Sequence, residues 1–238
     1  MKKSRKITLV FASILGSVCI MLSFLISCRV DHTPYFKSTY YQTTSSRLDS
    51  LTKKRLISTD FVEAGFSKVS ITPSVGNSKD SVEVGQFKEA PLAGFGARKG
   101  KSATGTHDSI FVKAAAIKVG KQLVVIVGAD ILIMPPNIID DVTLLLAKKG
   151  IQRNQVFYSA SHTHSSVGAW GPGFIGEQFA GKANPHINQW LARQIAQAVT
   201  LAIADLKPAR IGNGYFNAAP YTRNRLVGET GTKNNDFN

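Results

Sequence analysis

The sequence predicts an α/β domain with a mixed β-sheet core and covering helices, preceded by an N-terminal hydrophobic export or anchor segment. Three observations carry that prediction. The run Leu123 to Asp130 is apolar on both faces, as expected of a central strand covered on both sides. A tight-turn signal, Gly120-Lys121, joins it to the segment Ile110 to Val119 as a hairpin. A helix-periodic stretch and then a second apolar β-rich run follow, which completes a strand-helix-strand unit. With 238 residues, 43% of them hydrophobic, the chain has material for one sizeable core plus a tail.

At the N-terminus a basic stretch, Met1 to Lys6, precedes an uncharged and mostly apolar run from Ile7 to Cys28, long enough to span a hydrocarbon core as a helix of about 20 residues. The region 1–28 is therefore expected to be an export signal or anchor. Leu25-Ile26-Ser27-Cys28 is similar to a bacterial lipoprotein cleavage site; an uncleaved signal anchor is the alternative. Either places the rest of the chain outside the cytoplasm and attached to a membrane, because the positive charges stay inside. Cys19 and Cys28 are the only cysteines, so no disulfide can form within the chain after Cys28.

The formal charge of +14 raises the question of nucleic acid. Four of the 29 basic residues sit in the N-terminal stretch, and the remainder form no dense run. No zinc-finger spacing or RNA-binding aromatic motif accompanies them, so no nucleic-acid partner is expected. Oligomeric state has no signal in the sequence.

Residues 29–61 read as a polar, hydroxyl-rich spacer with a helical turn or two around Ser46 to Arg55, and 62–238 as the domain proper. Phe66 to Ile71 alternates and stops at Pro73, a half-exposed strand. Gly94 and Gly96 do not form a nucleotide loop, since no helix pattern follows and the third glycine is misplaced. His107-Asp108 lies in a glycine-rich loop, where it either joins a metal or ligand site or closes a turn. Asp130, at the end of the Leu123 strand, is either a site residue or a cap. Pro135-Pro136-Asn137 opens a helix carrying Ile138, Ile139, Val142, Leu145 and Leu146, which stops at Lys148-Lys149-Gly150. Val156 starts the next strand. A loop from Trp170 to Phe179 leads to Asn184-Pro185, the N-cap and first residue of a helix with Ile187, Leu191, Ile195, Ala198, Ala202 and Leu206 on one stripe. Ala209 to Phe216 reads as a last strand.

Chemistry concentrates in Val156 to Trp170. In extended backbone, residues i and i+2 share a side, so His162 and His164 are expected to face one spot at a strand end. Neutral imidazole is a preferred ligand for zinc and related ions; a hydrogen-bonded surface pair is the bland alternative. Glycines at 168, 171 and 173 allow close backbone approach after the pair.

The string Ser159-Ala160-Ser161-His162-Thr163-His164-Ser165 resembles the S-x-T-H-T-H-S signature of the neutral/alkaline, non-lysosomal ceramidases. Other pieces occur in that family's order: Gly65 to Pro73, Leu92 to Gly96, Phe111 to Ala114, and Val125 to Asp130. The resemblance implies a zinc-dependent amidohydrolase that splits N-acylsphingosine into fatty acid and sphingosine, acting on a lipid or other amide substrate. It implies His162 as a zinc ligand, His164 as a group beside the metal, and Arg225, in a segment similar to the family's N-R-S-P, near the site. It also implies that the second histidine ligand, the glutamate and tyrosine ligands and the catalytic serine follow Asn238. The chain is then an incomplete catalytic domain, expected to hydrolyse nothing by itself. If it is complete, the expectation is either no activity or a different, local site of His107, Asp108 and Asp130. The alternatives are an exported hydrolase of another amide or ester in the cell envelope, and a non-catalytic membrane-attached binding lipoprotein.

Overall fold

The computed structural model describes residues 2–25, 32–53, 58 and 60–221. The chain divides into two units, Met1–Ile57 and Ser58–Asn238. The first holds two helices, α1 (Lys2–Leu25) and α2 (Thr39–Lys53). α2 is a full helix where the sequence suggested a turn or two. Its hydroxyl residues return side-chain bonds to the preceding turn, Ser50 to the Ser46 carbonyl at 2.9 Å and Thr52 to that of Leu48 at 3.0 Å, so they stay within the helix. Side chains in α1 are described over 10–23, fewer than the roughly 20 residues of a span. Among the described residues no helix is long and apolar enough to cross a membrane, and Cys28 lies outside them.

The second unit is an α/β layer structure. Its strands are β1 (Val62–Ser70), β2 (Phe111–Val119), β3 (Gln122–Ala129), β4 (Val156–Ala160) and the two-residue β5 (Lys207–Pro208), in the order β4-β3-β2-β1-β5. The β5–β1, β1–β2 and β2–β3 pairs are antiparallel, and β4 lies parallel to β3. The sheet is mixed, as predicted. The β2–β3 hairpin pairs Val119 with Gln122 across Gly120-Lys121, with Gly120 at φ 57°, a backbone shape that favours glycine.

Helix α3 (Pro136–Ala147) makes the parallel β3–β4 crossover, starting with proline at its first position and burying Ile138, Val142 and Leu146. Helix α5 (Pro185–Ala204) packs on α3 and across β1, β2 and β3. Its predicted stripe is buried through Ala202, and Leu206 follows its end. The Asn184 side chain accepts from the His186 amide at 2.9 Å, which completes the cap. Small residues let α5 sit close. A Cβ on Gly65 would lie 2.2 Å from the Ala202 carbonyl oxygen, and Ser67 Oγ donates to the Ala198 carbonyl at 2.7 Å. Ala114 and Ala116 complete the shallow seat.

Three expectations need correction. β3 is not covered on both sides: Val125 and Val127 are buried under the helices, whereas Ile126 on the other face is 45% exposed. Among the described residues of this unit α3 and α5 form one layer on one side, so apolar residues on both faces did not mean two covers. Residues 209–216 form no strand; only Lys207–Pro208 pairs with Glu63 and Ala64, after which Ile211, Tyr215 and Phe216 are exposed. The stretch from Trp170 to Phe179 is not all loop, because α4 (Gly173–Ala180) occupies it.

Candidate functional site

β3 and β4 end side by side at Ala129 and Ala160, and the segments that leave them build the site. Ser161 donates its amide to the Ala129 carbonyl at 2.9 Å, which carries the pairing one residue past the strand. At His162 the backbone turns to φ 59°. The two histidines therefore converge for a different reason than expected: strand alternation stops at Ala160, and a left-handed residue swings the ring across. The His162 and His164 rings stand 5.1 Å apart at 77°, with their Nε2 atoms 3.5 Å from each other.

His162 Nδ1 lies 2.8 Å from the Leu132 carbonyl oxygen. A carbonyl only accepts, so Nδ1 carries the proton and Nε2 presents its lone pair, which faces His164 Nε2 at 3.5 Å. Metal-binding histidines are oriented in this way, the far nitrogen donating to a backbone carbonyl. His164 differs. Its Nδ1 is buried and has no hydrogen-bond partner among the described residues, which favours the tautomer with the proton on Nε2. Two imidazoles on a tetrahedral ion at about 2.1 Å would stand about 3.4 Å apart, so the observed Nε2 spacing suits a shared ion. His162 thus fits a metal in spacing and in tautomer, His164 in spacing alone.

A second segment, 91–98, holds His164 in place. The Arg98 guanidinium donates to the His164 carbonyl at 2.8 Å. The Phe95 ring lies on the imidazole with centroids 4.5 Å apart. Gly94, at φ 84°, lets the backbone come so near that an added Cβ would meet the ring at 2.6 Å. Backbone bonds lock the segment on: Ala93 to the Ser166 carbonyl at 3.0 Å, and Gly94 to the Phe179 carbonyl at 2.8 Å. Sequence reasoning assigned no role to Gly94, Phe95 or Arg98; the glycine pair was the available signal, and it indicates room for an imidazole instead of a phosphate. Among the described residues, Phe95, Lys99, His162 and Ala169 are the non-glycine residues at positive φ. All four fall in these two abutting segments or, for Lys99, one residue beyond. Strained backbone of this kind costs on the order of 1–3 kcal/mol each and gathers at functional sites.

The other expected residues fall elsewhere. The Asp130 carboxylate accepts from the Phe111 amide at 3.0 Å, while its own amide donates to the Phe111 carbonyl at 2.9 Å. The carboxylate thus ties the end of β3 back to the first residue of β2, not to the following segment that the sequence offered it as a cap for. His107 and Asp108 pair with each other at 3.0 Å and are 97% and 89% exposed. They line a cavity that His162 and His164 do not line. Arg225 lies outside the described residues. Among the described residues no group of three or more histidine, cysteine, aspartate or glutamate side chains is placed to hold an ion.

The fold and its strand-end imidazole pair define a mixed-sheet α/β protein with its candidate site at the carboxyl ends of neighbouring parallel strands, where such sheets place their ligands. Two solved structures share the fold. One is a neutral ceramidase from Pseudomonas aeruginosa and the other a ceramidase complexed with C2; each superposes with a TM-score of 0.51 at 19% identity, over 62% of this chain and 22% of theirs. The chain thus spans about a fifth of the length of these neighbours. No protein-family model and no curated protein matches it.

Proposed function

We propose that this chain supplies part of the active centre of a zinc-dependent, ceramidase-like amide hydrolase, exported and attached to the membrane through its N-terminal segment. The observation that carries the reading is His162, held in a left-handed backbone with Nδ1–H on the Leu132 carbonyl and the Nε2 lone pair turned toward His164 Nε2 at 3.5 Å. The shared fold with two ceramidase structures supports it.

His162 would hold the zinc, which when bound polarises a carbonyl and lowers the pKa of a water. His164 stands beside it, its ring fixed by Phe95, Gly94 and Arg98, and presents Nε2–H to the same spot. From there it donates a hydrogen bond to a substrate carbonyl or leaving group. Arg225 would add a positive charge near the site. Phe95, 55% exposed and in contact with the His164 ring, gives the rim an apolar surface suited to acyl chains. A catalytic zinc takes three protein ligands, and the described residues offer at most two. The 238-residue chain alone is therefore expected to show no amidase activity.

The test is metal content and hydrolysis in the gene-length protein purified from its own cells. One zinc per chain is expected in the wild type and loss of it in His162→Ala, together with release of fatty acid from an N-acylated long-chain base. A wild type without stoichiometric zinc overturns the metal assignment and leaves a binding lipoprotein. Zinc-dependent cleavage of other amides or esters, with none of the N-acylated base, overturns the substrate.

A further inference from the structure

On the side of the histidine loop away from the imidazoles lies a cavity of about 450 Å³. Consecutive residues serve opposite sides: His162 and His164 face one another, whereas Thr163, Ser165 and Ser166 line this cavity. Its remaining wall comes from the β1 exit at Thr72 and from the loop between β1 and β2, including Ala103, Thr106 and the His107-Asp108 pair.

Ser166 is the anchor of the argument. It is 1% exposed, the one polar residue counted in the buried core, and its Oγ has no hydrogen-bond partner among the described residues. Its carbonyl accepts from the Ala93 amide at 3.0 Å. A buried hydroxyl left unpaired on a cavity wall calls for a partner within the cavity. Two other hydroxyls are already engaged: Thr72 Oγ1 donates to the Ile110 carbonyl at 3.2 Å and accepts from the Ile110 amide at 2.8 Å, and Thr163 Oγ1 accepts from the Ser165 amide at 3.3 Å.

Charge decides the ligand class. Among the described residues no lysine or arginine lines the cavity, and the one carboxylate that does, Asp108, is already paired with His107. Leu92, Ile110 and Val167 give apolar wall between the hydroxyls. A neutral ligand bearing several hydroxyls on a short carbon frame matches that alternation, and the volume lies within the usual range for small-molecule sites. We infer that this cavity is a second binding site, separate from the histidine pair, for a small neutral polyol, with Ser166 Oγ as its buried anchor.

Xylitol is the probe, read by saturation-transfer NMR on the 238-residue chain, with inorganic phosphate as the charged comparison. Saturation transfer to xylitol is expected from the wild type. Ser166→Ala should weaken it about tenfold without lowering the unfolding temperature, because no protein hydrogen bond is lost. Ala103→Trp, which fills the cavity, should abolish it, and His162→Ala should leave it unchanged. The inference fails if the wild type shows no transfer to xylitol, if Ser166→Ala binds as well as the wild type, or if phosphate competes xylitol away. It also fails if His162→Ala loses the xylitol signal, since the two sites would then be one. Because zinc content is read independently, the cavity can fail while the metal assignment stands.

Discussion

The two faces of the sheet share every strand and differ in what covers them. Across the register, Gly65, Ala116, Val125 and Val156 point to one side and are buried beneath α3 and α5. One residue along, Phe66, Ala115, Ile126 and Phe157 form a row on the other side, where Phe66 and Phe157 are 67% and 65% exposed. Lys68 and Lys113 edge that row, with Lys68 Nζ 3.8 Å from the Phe111 ring centre. The contrast teaches that strand hydrophobicity and strand burial are separate facts. Apolar residues mark what a face is able to bury, and the helices decide which face this unit does bury.

The largest way to break the contrast is to stop α5 from docking. Gly65→Val places a branched side chain where a Cβ alone would be 2.2 Å from the Ala202 carbonyl oxygen; overpacking against rigid backbone is expected to cost about 3 kcal/mol in urea unfolding. Next comes a matched pair of truncations. Leu191→Ala, at a fully buried site on α5, should cost about 3 kcal/mol, and Ile126→Ala on the open face of the 238-residue chain less than about 1 kcal/mol. Equal losses would mean that both faces are covered.

The smallest effect concerns how the covered side is pinned. Asp80 accepts from the Asn184 side chain at 2.9 Å and the Lys88 amide at 2.8 Å, with His186 Nδ1 at 3.3 Å, and these bonds hold its carboxyl below the usual range. A carboxyl with a depressed folded pKa stabilises above its unfolded pKa of about 3.9, and that contribution is lost as pH falls through the folded value. Wild type should therefore melt above Asp80→Asn at neutral pH, with the gap closing in acid below about pH 4. A gap that persists unchanged in acid would remove Asp80 as a charged clasp.

Much of the fold was legible because local rules and tertiary packing agree. The Asn184-Pro185 start, the α5 stripe and the Gly120-Lys121 turn each follow from side-chain chemistry within a few residues. α4 was missed because its glycines and proline read as loop, while its helix bonds depend on the chain doubling back near Gly171 and Gly176. Ala209 to Phe216 has apolar residues but no strand beside it beyond the first pairs with β1. At the site, the histidine pair was visible and its support was not. The Leu132 carbonyl and Arg98 lie 30 and 66 residues from the histidines they bind, a separation at which one sequence carries no pairing signal. In the fold Thr163, Ser165 and Ser166 line a cavity that the two histidines between and beside them do not.

The left-handed turn at His162 also sets an order of events. Its ring is aimed by the backbone and by a bond to the β3 exit, so the aim is fixed when the sheet and its crossover form. Whatever later arrives at Nε2 meets a group with little orientational freedom left to lose. Recognition there is settled during folding, and its rate is governed by arrival and shedding of water, not by rearrangement of the protein.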